Sequence, residues 1–522
     1  ERGAITESAE ALFKAIAPTK QLFYRGGVVV ELVQEGEGYE VKVLDAVAAQ
    51  SRFEKYVRFV KQPTLNAPVQ PTNISESKAK QYLKSEACRK LLPEFNGLVH
   101  CPFLVEKNGQ LHRVEQGYDE VTGLCVAGAR PTQNIALADA VALLDGLLSD
   151  FDFVTPGDRS RAIASFLTPA LKFGGLISGP VPIDVAEANA SQSGKTYRQK
   201  MVAALYNQEM AIVTKKAGGV GSMEENFAEY LIRGSLFIQF DNVRGKLDSQ
   251  YLESFTTATN TKKFSARVPY QGSVMIDPSK FILFISSNGF EATKDLTNRA
   301  SIIRIRKREN YSYKTLDGKD VLQLTYEWQP GLMGCVFAVI EEWYRQGKPR
   351  TNETRHSFRD WCQILDWIVQ NIFHAAPLMD GHEEAKTRAA SPQLTFLRGI
   401  AIKLNELGRL NRPIIASEIT DLCLEENIEI PGLPEDNQTL EEGRKQFGRI
   451  MGRLFGGKGE LTVEEFKVTR QEERARTITG NDQRQYRYTF SLVGTATPQT
   501  PPAPPAPTPA PSTSLPPQAP AM

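Results

Sequence analysis

Asn189-Ala190-Ser191-Gln192-Ser193-Gly194-Lys195-Thr196 is the stretch on which the reading of this chain turns. A short apolar segment at 181–185 runs into it, and a helix-like stretch at 197–206 runs out of it. A strand, a tight turn and a helix start in that order aim backbone N–H groups and a helix N-terminus at an anion. The expectation is a phosphate-binding loop built from Asn189, Ser193, Gly194, Lys195 and Thr196. Lys195 would reach the β- and γ-phosphates of ATP, and Thr196 would hold Mg²⁺ through its hydroxyl. Asn189 stands where such loops usually begin with glycine, and asparagine also enters left-handed turns. A bare Gly-Lys-Thr can equally be an exposed pair at a helix start, so the assignment depends on partners further along the chain.

Those partners follow in order. Ser235-Leu236-Phe237-Ile238-Gln239-Phe240-Asp241-Asn242 has the continuous apolar run of a buried parallel strand and ends in Asp241, placed for the Mg²⁺-associated carboxylate. Lys280-Phe281-Ile282-Leu283-Phe284-Ile285-Ser286-Ser287-Asn288 repeats the pattern and ends in an amide suited to orient an attacking water. Asp295-Leu296-Thr297-Asn298-Arg299 then offers a guanidinium in the position of an arginine finger acting on a neighbouring subunit's nucleotide. The candidate catalytic set is Lys195, Asp241, Asn288 and Arg299, with Thr196 and Asp241 as Mg²⁺ ligands. Asn242 occupies the place of the glutamate that many such ATPases use to polarise water. Either another carboxylate substitutes, with Glu187 the candidate, or hydrolysis is slow.

Composition bounds the rest. The 522 residues include 62 Lys+Arg and 61 Asp+Glu, so no global basic field advertises nucleic acid. With 41% hydrophobic and 24% charged residues the chain has ordinary globular material for several domains. No apolar run reaches the roughly 18–20 residues of a membrane span. Six cysteines without a C-x-x-C pair suit a reducing cytoplasm and support no zinc cluster. A site from Cys88, His100, Cys101 and His112 fits no usual ligand spacing, so buried thiols are the reading. The chain starts at Glu1 without a signal-peptide pattern, as a fragment or a processed product would.

The fold class expected is α/β: an α+β N-terminal module over 1–134, an ATPase domain with its preceding helices over 135–330, a helical appendage over 331–390, a winged-helix module over 391–494 and a tail over 495–522. Strands are expected at 21–25 and 28–32 around Gly26-Gly27, and helices at 135–148 and 158–171, the second started by Asp158. Further helices are expected at 333–344 and 357–373, with a polar break over 382–391. Three helices (394–407, one from 417, and 440–455) followed by strands at 461–470 and 485–492 give the winged-helix order. The tail has 11 prolines and no charge, a polyproline-like spacer that cannot fold alone.

The order of these motifs resembles the AAA+ domains of superfamily-three and related phage or mobile-element replicative helicases, especially helicase-like proteins found beside or behind a primase. Tyr24-Arg25-Gly26-Gly27 is similar to that family's N-terminal hairpin, Gly117-Tyr118-Asp119 with Thr122-Gly123-Leu124 to its glycine–tyrosine–aspartate turn, and Phe151-Asp152-Phe153, Asp158-Arg159 and Leu167-Thr168 to its pre-ATPase helices. Phe358 and Trp361 match its post-ATPase helix. The likeness spans about residues 20 to 375. It departs where Asn298 replaces the first of two arginines, leaving Arg299 as the finger. It implies ATP and Mg²⁺ as cofactors, single-stranded or forked DNA as partner, a homo-oligomeric ring of hexameric kind, and a primase as a further partner.

Three places would touch DNA. In similar helicases a hairpin in the interval of Thr261 to Gly272 enters the ring's pore; here it carries Lys262, Lys263 and Arg267, with Phe264 between them and Tyr270 just beyond. Lys215 and Lys216 precede a glycine-rich loop that could equally be a plain turn. Arg444, Lys445, Arg449 and Arg453 recur along the third winged-helix helix, in a stretch from Arg444 to Arg487 with 11 basic against 6 acidic residues. The reading is an ATP-driven DNA helicase or translocase of a phage or mobile element. Its rivals are a nucleotide-switched DNA-binding initiator or loader that does not unwind, and an inert scaffold.

Overall fold

The computed structural model describes residues 4–493 apart from 37, 63, 65, 189–192, 215–221, 259–262, 269–271, 309–310, 312, 314, 317, 427, 434–439 and 477–481. Its centre is a sheet whose inner strands are buried on both faces. In chain order the strands of this region are β1 Asp152–Phe153, β2 Ile183–Ala188, β3 Ala211–Val213, β4 Phe237–Val243, the hairpin pair β5 Phe264–Val268 and β6 Gly272–Ile276, then β7 Ile282–Ser287 and β8 Ala300–Arg306. The sheet order is β1-β8-β2-β7-β4-β3. All neighbours are parallel except the antiparallel edge strand β1. Every residue of β2 and β7 is buried, so residues 282–285 of β7 read as a continuous apolar run, while β2 buries Asp184 and Glu187 among its apolar residues.

From β2 the chain crosses two strand positions to reach the far edge at β3. The carboxyl ends of β2, β7 and β4 therefore lie side by side at a reversal of strand order, the place where open α/β sheets form a ligand crevice. Helices α1 Pro156–Phe173, α2 Lys195–Leu205, α3 Met223–Arg233 and α4 Gln250–Thr257 accompany the sheet, followed by α5 Gln329–Arg345 and α6 Arg359–Asn371. Helix α1 does not start at Asp158. Thr155 is its N-cap and Pro156 its first residue, while Asp158 closes a capping box: Asp158 N donates to Thr155 Oγ1 (3.2 Å) and Thr155 N to Asp158 Oδ2 (3.0 Å).

The N-terminal strands Leu22–Arg25 and Val28–Glu35 pair antiparallel around Gly26 and Gly27, whose φ values are +55° and +114°. Arg25 is buried, and its Nη2 donates to the carbonyl of Leu231 (2.7 Å) near the end of α3. Burial pushes this guanidinium down to about 10. Gly26 accepts from Met275 N (3.0 Å), so the same turn that caps α3 also holds the β5–β6 hairpin. A Cβ on Gly26 would lie 2.0 Å from the Met275 carbonyl oxygen. Gly26→Ala is therefore expected to cost about 3 kcal/mol, from the left-handed backbone and the clash together, read as a lower denaturation midpoint.

Two sequence expectations fail in the C-terminal half. The segment read as a polar break is largely a helix, α7 His382–Ala389, with His382, Ala385, Arg388 and Ala389 buried. Helices α8 Pro392–Glu406, α9 Ala416–Glu425 and α10 Leu440–Phe455 follow, with a sheet of β9 Pro413–Ile415, β10 Glu460–Val463, β11 Phe466–Arg476 and β12 Asp482–Leu492 in the order β9-β12-β11-β10. The single strand expected over 461–470 is two antiparallel strands, because the chain reverses at Glu464-Glu465, with Glu464 at φ +51°. This region has its own core, in which Phe447, Ile450, Met451 and Phe455 of α10 meet Phe396, Leu397, Tyr488 and Phe490. All six cysteines are buried and unpaired, and among the described residues no cluster of metal ligands forms.

Candidate functional site

The crevice at the ends of β2, β7 and β4 collects the residues singled out above. Gly194 takes φ +86° and opens α2, whose first residues are Lys195 and Thr196. Buried amides seat this helix. Gln199 Nε2 donates to the carbonyls of Asp184 in β2 (3.0 Å) and Ile285 in β7 (3.0 Å), and Gln239 of β4 donates to Gln199 Oε1 (2.9 Å). Arg198 pairs with Asp184 beneath them. Three strands and one helix are thus locked together by polar contacts invisible to periodicity.

On that base Lys195 is buried and its Nζ donates to Asn288 Oδ1 (2.5 Å) just beyond β7. Burial pushes this ammonium down from its ordinary range, with Asp241 opposing the shift. Thr196 Oγ1 lies 3.4 Å from Asp241 Oδ1, and Ser286 of β7 donates to the same oxygen (2.6 Å). Ser286 was not expected from sequence; it lies in the buried strand run, and its role shows only through the pairing of β4 with β7. An ammonium, a hydroxyl and a carboxylate within reach of one another form a donor set suited to a phosphate and a divalent cation. The Ser193 hydroxyl is buried and has no hydrogen-bond partner. Asn189 lies outside the described residues.

The position after Asp241 has a physical explanation. β4 bulges between Phe240 and Val243, and Asn242 sits in the left-handed region at φ +51°, its backbone N–H held by Ser286 Oγ (2.8 Å). Asparagine tolerates that conformation better than glutamate does. Glu187, the candidate substitute base, is not free for the work. It is fully buried and both carboxylate oxygens are engaged, one with Arg388 and the other with Arg398 (3.3 Å).

An aromatic niche adjoins the loop. Phe151, Tyr197 and Tyr313 have ring centroids 5.4–6.5 Å apart, and a Cβ on Gly194 would fall 1.9 Å from the Tyr313 hydroxyl. Tyr197 accepts from Leu322 N (2.8 Å), which fixes its ring, and burial pushes its phenol up to about 12. In the sequence Phe151 stands out only through the resemblance and position 197 only as the start of a helix-like stretch; Tyr313 joins them through folding alone.

Arg299 lies apart from this group. Its guanidinium donates to the Glu253 carbonyl (3.0 Å) in the middle of α4, and it is half-buried. Of the cationic candidates, Lys215, Lys216 and Lys262 lie outside the described residues. Lys263 is paired with Glu94, while Arg267 is exposed on β5. Arg444, Lys445, Arg449 and Arg453 all occupy the exposed side of α10; Arg444 lies 3.6 Å from Asp421 and Lys445 pairs with Glu441 (2.7 Å). Such exposed pairs are worth little and yield readily to a phosphate.

No family model matches the chain, and no curated protein matches it. Among solved structures it is similar to the C-terminal region of NrS-1, at 11% identity over 92% of this chain and 98% of that one, with a TM-score of 0.38. It is also similar to a protein described as the SCCmec type IV Cch active helicase, at 11% identity over 91% of this chain and 97% of that one, TM-score 0.29. A third is the JCV helicase bound to a small acetamide, at 12% identity over 49% of this chain and 66% of that one, TM-score 0.23.

Proposed function

We propose that this chain is an ATP-driven DNA helicase or translocase of a phage or mobile element, built on a P-loop AAA+ core with a winged-helix module behind it. The observation that carries the reading is the convergence of Lys195, Thr196, Asp241, Ser286 and Asn288 at the carboxyl ends of three adjacent parallel strands. Ser193, Gly194 and Lys195 would hold the phosphates, and the aromatic niche of Phe151, Tyr197 and Tyr313 would take the base by stacking. Thr196 and Asp241 would hold Mg²⁺, which when bound supplies charge neutralisation for phosphoryl transfer. Asn288 exchanges its bond to Lys195 for one to water. Arg299 would act on the neighbouring subunit's site in a ring of hexameric kind. DNA would meet Arg267 of the β5–β6 hairpin, Lys263 just before it and the α10 face of Arg444, Lys445, Arg449 and Arg453, with a primase as a further partner.

A second reading is favoured by Asn242 and by the engaged Glu187: two places for a water-polarising carboxylate hold an amide and an ion-paired group. A nucleotide-switched initiator or loader needs binding more than fast turnover. Among the described residues no helix is long and apolar enough to cross a membrane.

ATP hydrolysis with and without single-stranded DNA, beside a strand-displacement assay, separates the readings. DNA-stimulated hydrolysis with unwinding supports the motor; nucleotide-dependent DNA binding without unwinding supports the switch; no turnover at high protein concentration leaves neither as an enzyme. Mixing Arg299→Ala with Lys195→Ala protein is expected to restore part of the activity, and an absence of rescue would count against sites shared between subunits.

A further inference from the structure

The buried charges around Glu187 join the nucleotide crevice to the far C-terminal region. Glu187 is the penultimate residue of β2, the strand that leads into the candidate phosphate loop. Its two oxygens engage Arg388 of α7 and Arg398 of α8. The same two arginines reach across to the β10–β11 turn. Arg388 Nε donates to Glu464 Oε1 (2.7 Å), Arg398 Nε lies 2.7 Å from Glu464 Oε2, and Arg398 Nη2 donates to Glu465 Oε1 (3.0 Å). Arg304 of β8 completes the group, 3.0 Å from Glu464 Oε2 and 3.1 Å from Asp158 at the start of α1. Glu187, Arg388 and the Glu464 side chain are each 1% exposed or less. Counting Arg161, which pairs with Asp158, four guanidinium groups meet the four carboxylates of Glu187, Glu464, Glu465 and Asp158, so the cluster is neutral only while the turn is seated.

Resting on the nucleotide-site reading above, we propose that the Glu464-Glu465 turn is a positioning element of that site. By clamping Arg388 and Arg398 onto Glu187 it fixes the strand that delivers the loop, and DNA held by the C-terminal module is thereby sensed at the nucleotide. The physics favours an all-or-none device. Withdrawing the turn would leave three buried arginines facing one another with too few carboxylates, and such uncompensated buried charge is strongly unfavourable. Glu464 also holds a left-handed backbone at φ +51°, which the seated contacts maintain. One end of the device is two residues from the loop. The other end continues directly into β11, the first strand of the long β11–β12 hairpin, and rests on the core that carries the basic face of α10.

The test uses the full chain, a non-hydrolysable ATP analogue with Mg²⁺, and an oligothymidylate. Glu464→Gln is expected to bind the analogue about tenfold more weakly while Glu464→Asp recovers part of the loss and Lys467→Ala, on the same hairpin, changes nothing. In the wild type, DNA and analogue should strengthen each other's binding by the same factor, about tenfold, because linkage is reciprocal. That factor should fall to one in Glu464→Gln. A cooperatively melting Glu464→Gln protein with wild-type nucleotide affinity overturns the proposal, as does a wild-type factor of one. If the variant does not fold, the wild-type reciprocity decides alone. A wild type that binds no analogue removes the nucleotide site itself, a different failure from tight binding that Glu464 does not influence.

Discussion

Replacing Lys195 with alanine should abolish ATP turnover while leaving the protein as stable as before. The ammonium belongs to the first residue of α2 and is buried, and the loss of one preorganised charge donor typically costs about 10²–10³ in rate. The stability expectation is less obvious. Burial already pushes Lys195 toward its neutral form, so the folded apoprotein spends free energy to keep the charge. Its partner Asn288 is exposed, so water replaces the lost hydrogen bond without leaving a stranded group. Lys195→Ala should therefore melt within a degree or two of wild type, and its turnover, assayed with DNA present, should fall at least a hundredfold. A variant that melts far lower would mean Lys195 is a structural cation; one that keeps turnover would move the site elsewhere. The pairing of an unchanged melting curve with lost activity is the signature of a side chain held for a ligand.

The places of Asp241 and Asn288 at the crevice were legible because they follow apolar runs, and that of Lys195 because Ser193-Gly194 precedes it at a helix start. A parallel strand buried on both faces cannot hide its periodicity, and the first polar residue past its carboxyl end lands in the crevice. Ser286 was not legible, since a serine inside a buried run looks like filler until β4 and β7 are paired. The turn at Glu464-Glu465 was hidden differently. Thr462, Glu464 and Phe466 alternate plausibly with Leu461, Val463 and Glu465 as one strand, and only the reversal brings Val463 opposite Phe466. Likewise α7 reads as polar because His382, Glu383, Glu384, Lys386 and Arg388 dominate it, yet His382 and Arg388 are buried against partners distant in sequence. Glu187 was misread for the same reason: its arginines come from helices about 200 residues away. Local pattern reports which faces are buried; it is silent about charge that is buried by being paired. The Tyr24-Arg25-Gly26-Gly27 turn falls between these cases, since resemblance marks it and only the packing of Arg25 on α3 and Gly26 on β6 gives the reason.

Asp158→Asn should be the most damaging single change to the fold, costing about 3–5 kcal/mol near neutral pH, as expected when one partner is removed from a buried ion cluster. The carboxylate is fully buried, caps α1, pairs with Arg161 (2.6 Å) and Arg304 (3.1 Å), and accepts from Arg304 N (3.0 Å). Burial acts to raise this carboxyl, but Arg304 and Arg161 outweigh it and hold it below the usual range. The sign follows: a depressed carboxyl stabilises the fold above the unfolded value of about 3.9, and the contribution is lost as pH falls through the folded value. The gap between wild type and Asp158→Asn should thus be constant above about pH 5 and close only in stronger acid. A second titration runs at milder pH and is shared by both proteins. His356 and His382 are buried beside the Ala300 carbonyl; burial pushes His356 down to about 4 and His382 well below its ordinary range. Their unfolded forms take up protons first, so stability falls as pH drops from about 6.5 to 4, by about 3 kcal/mol for His356 alone. Urea midpoints measured across pH 7.5 to 3 on both proteins would show parallel decline from the histidines, then convergence from Asp158. Curves that converge already near pH 6 would show that Asp158 is not held by its arginines in solution.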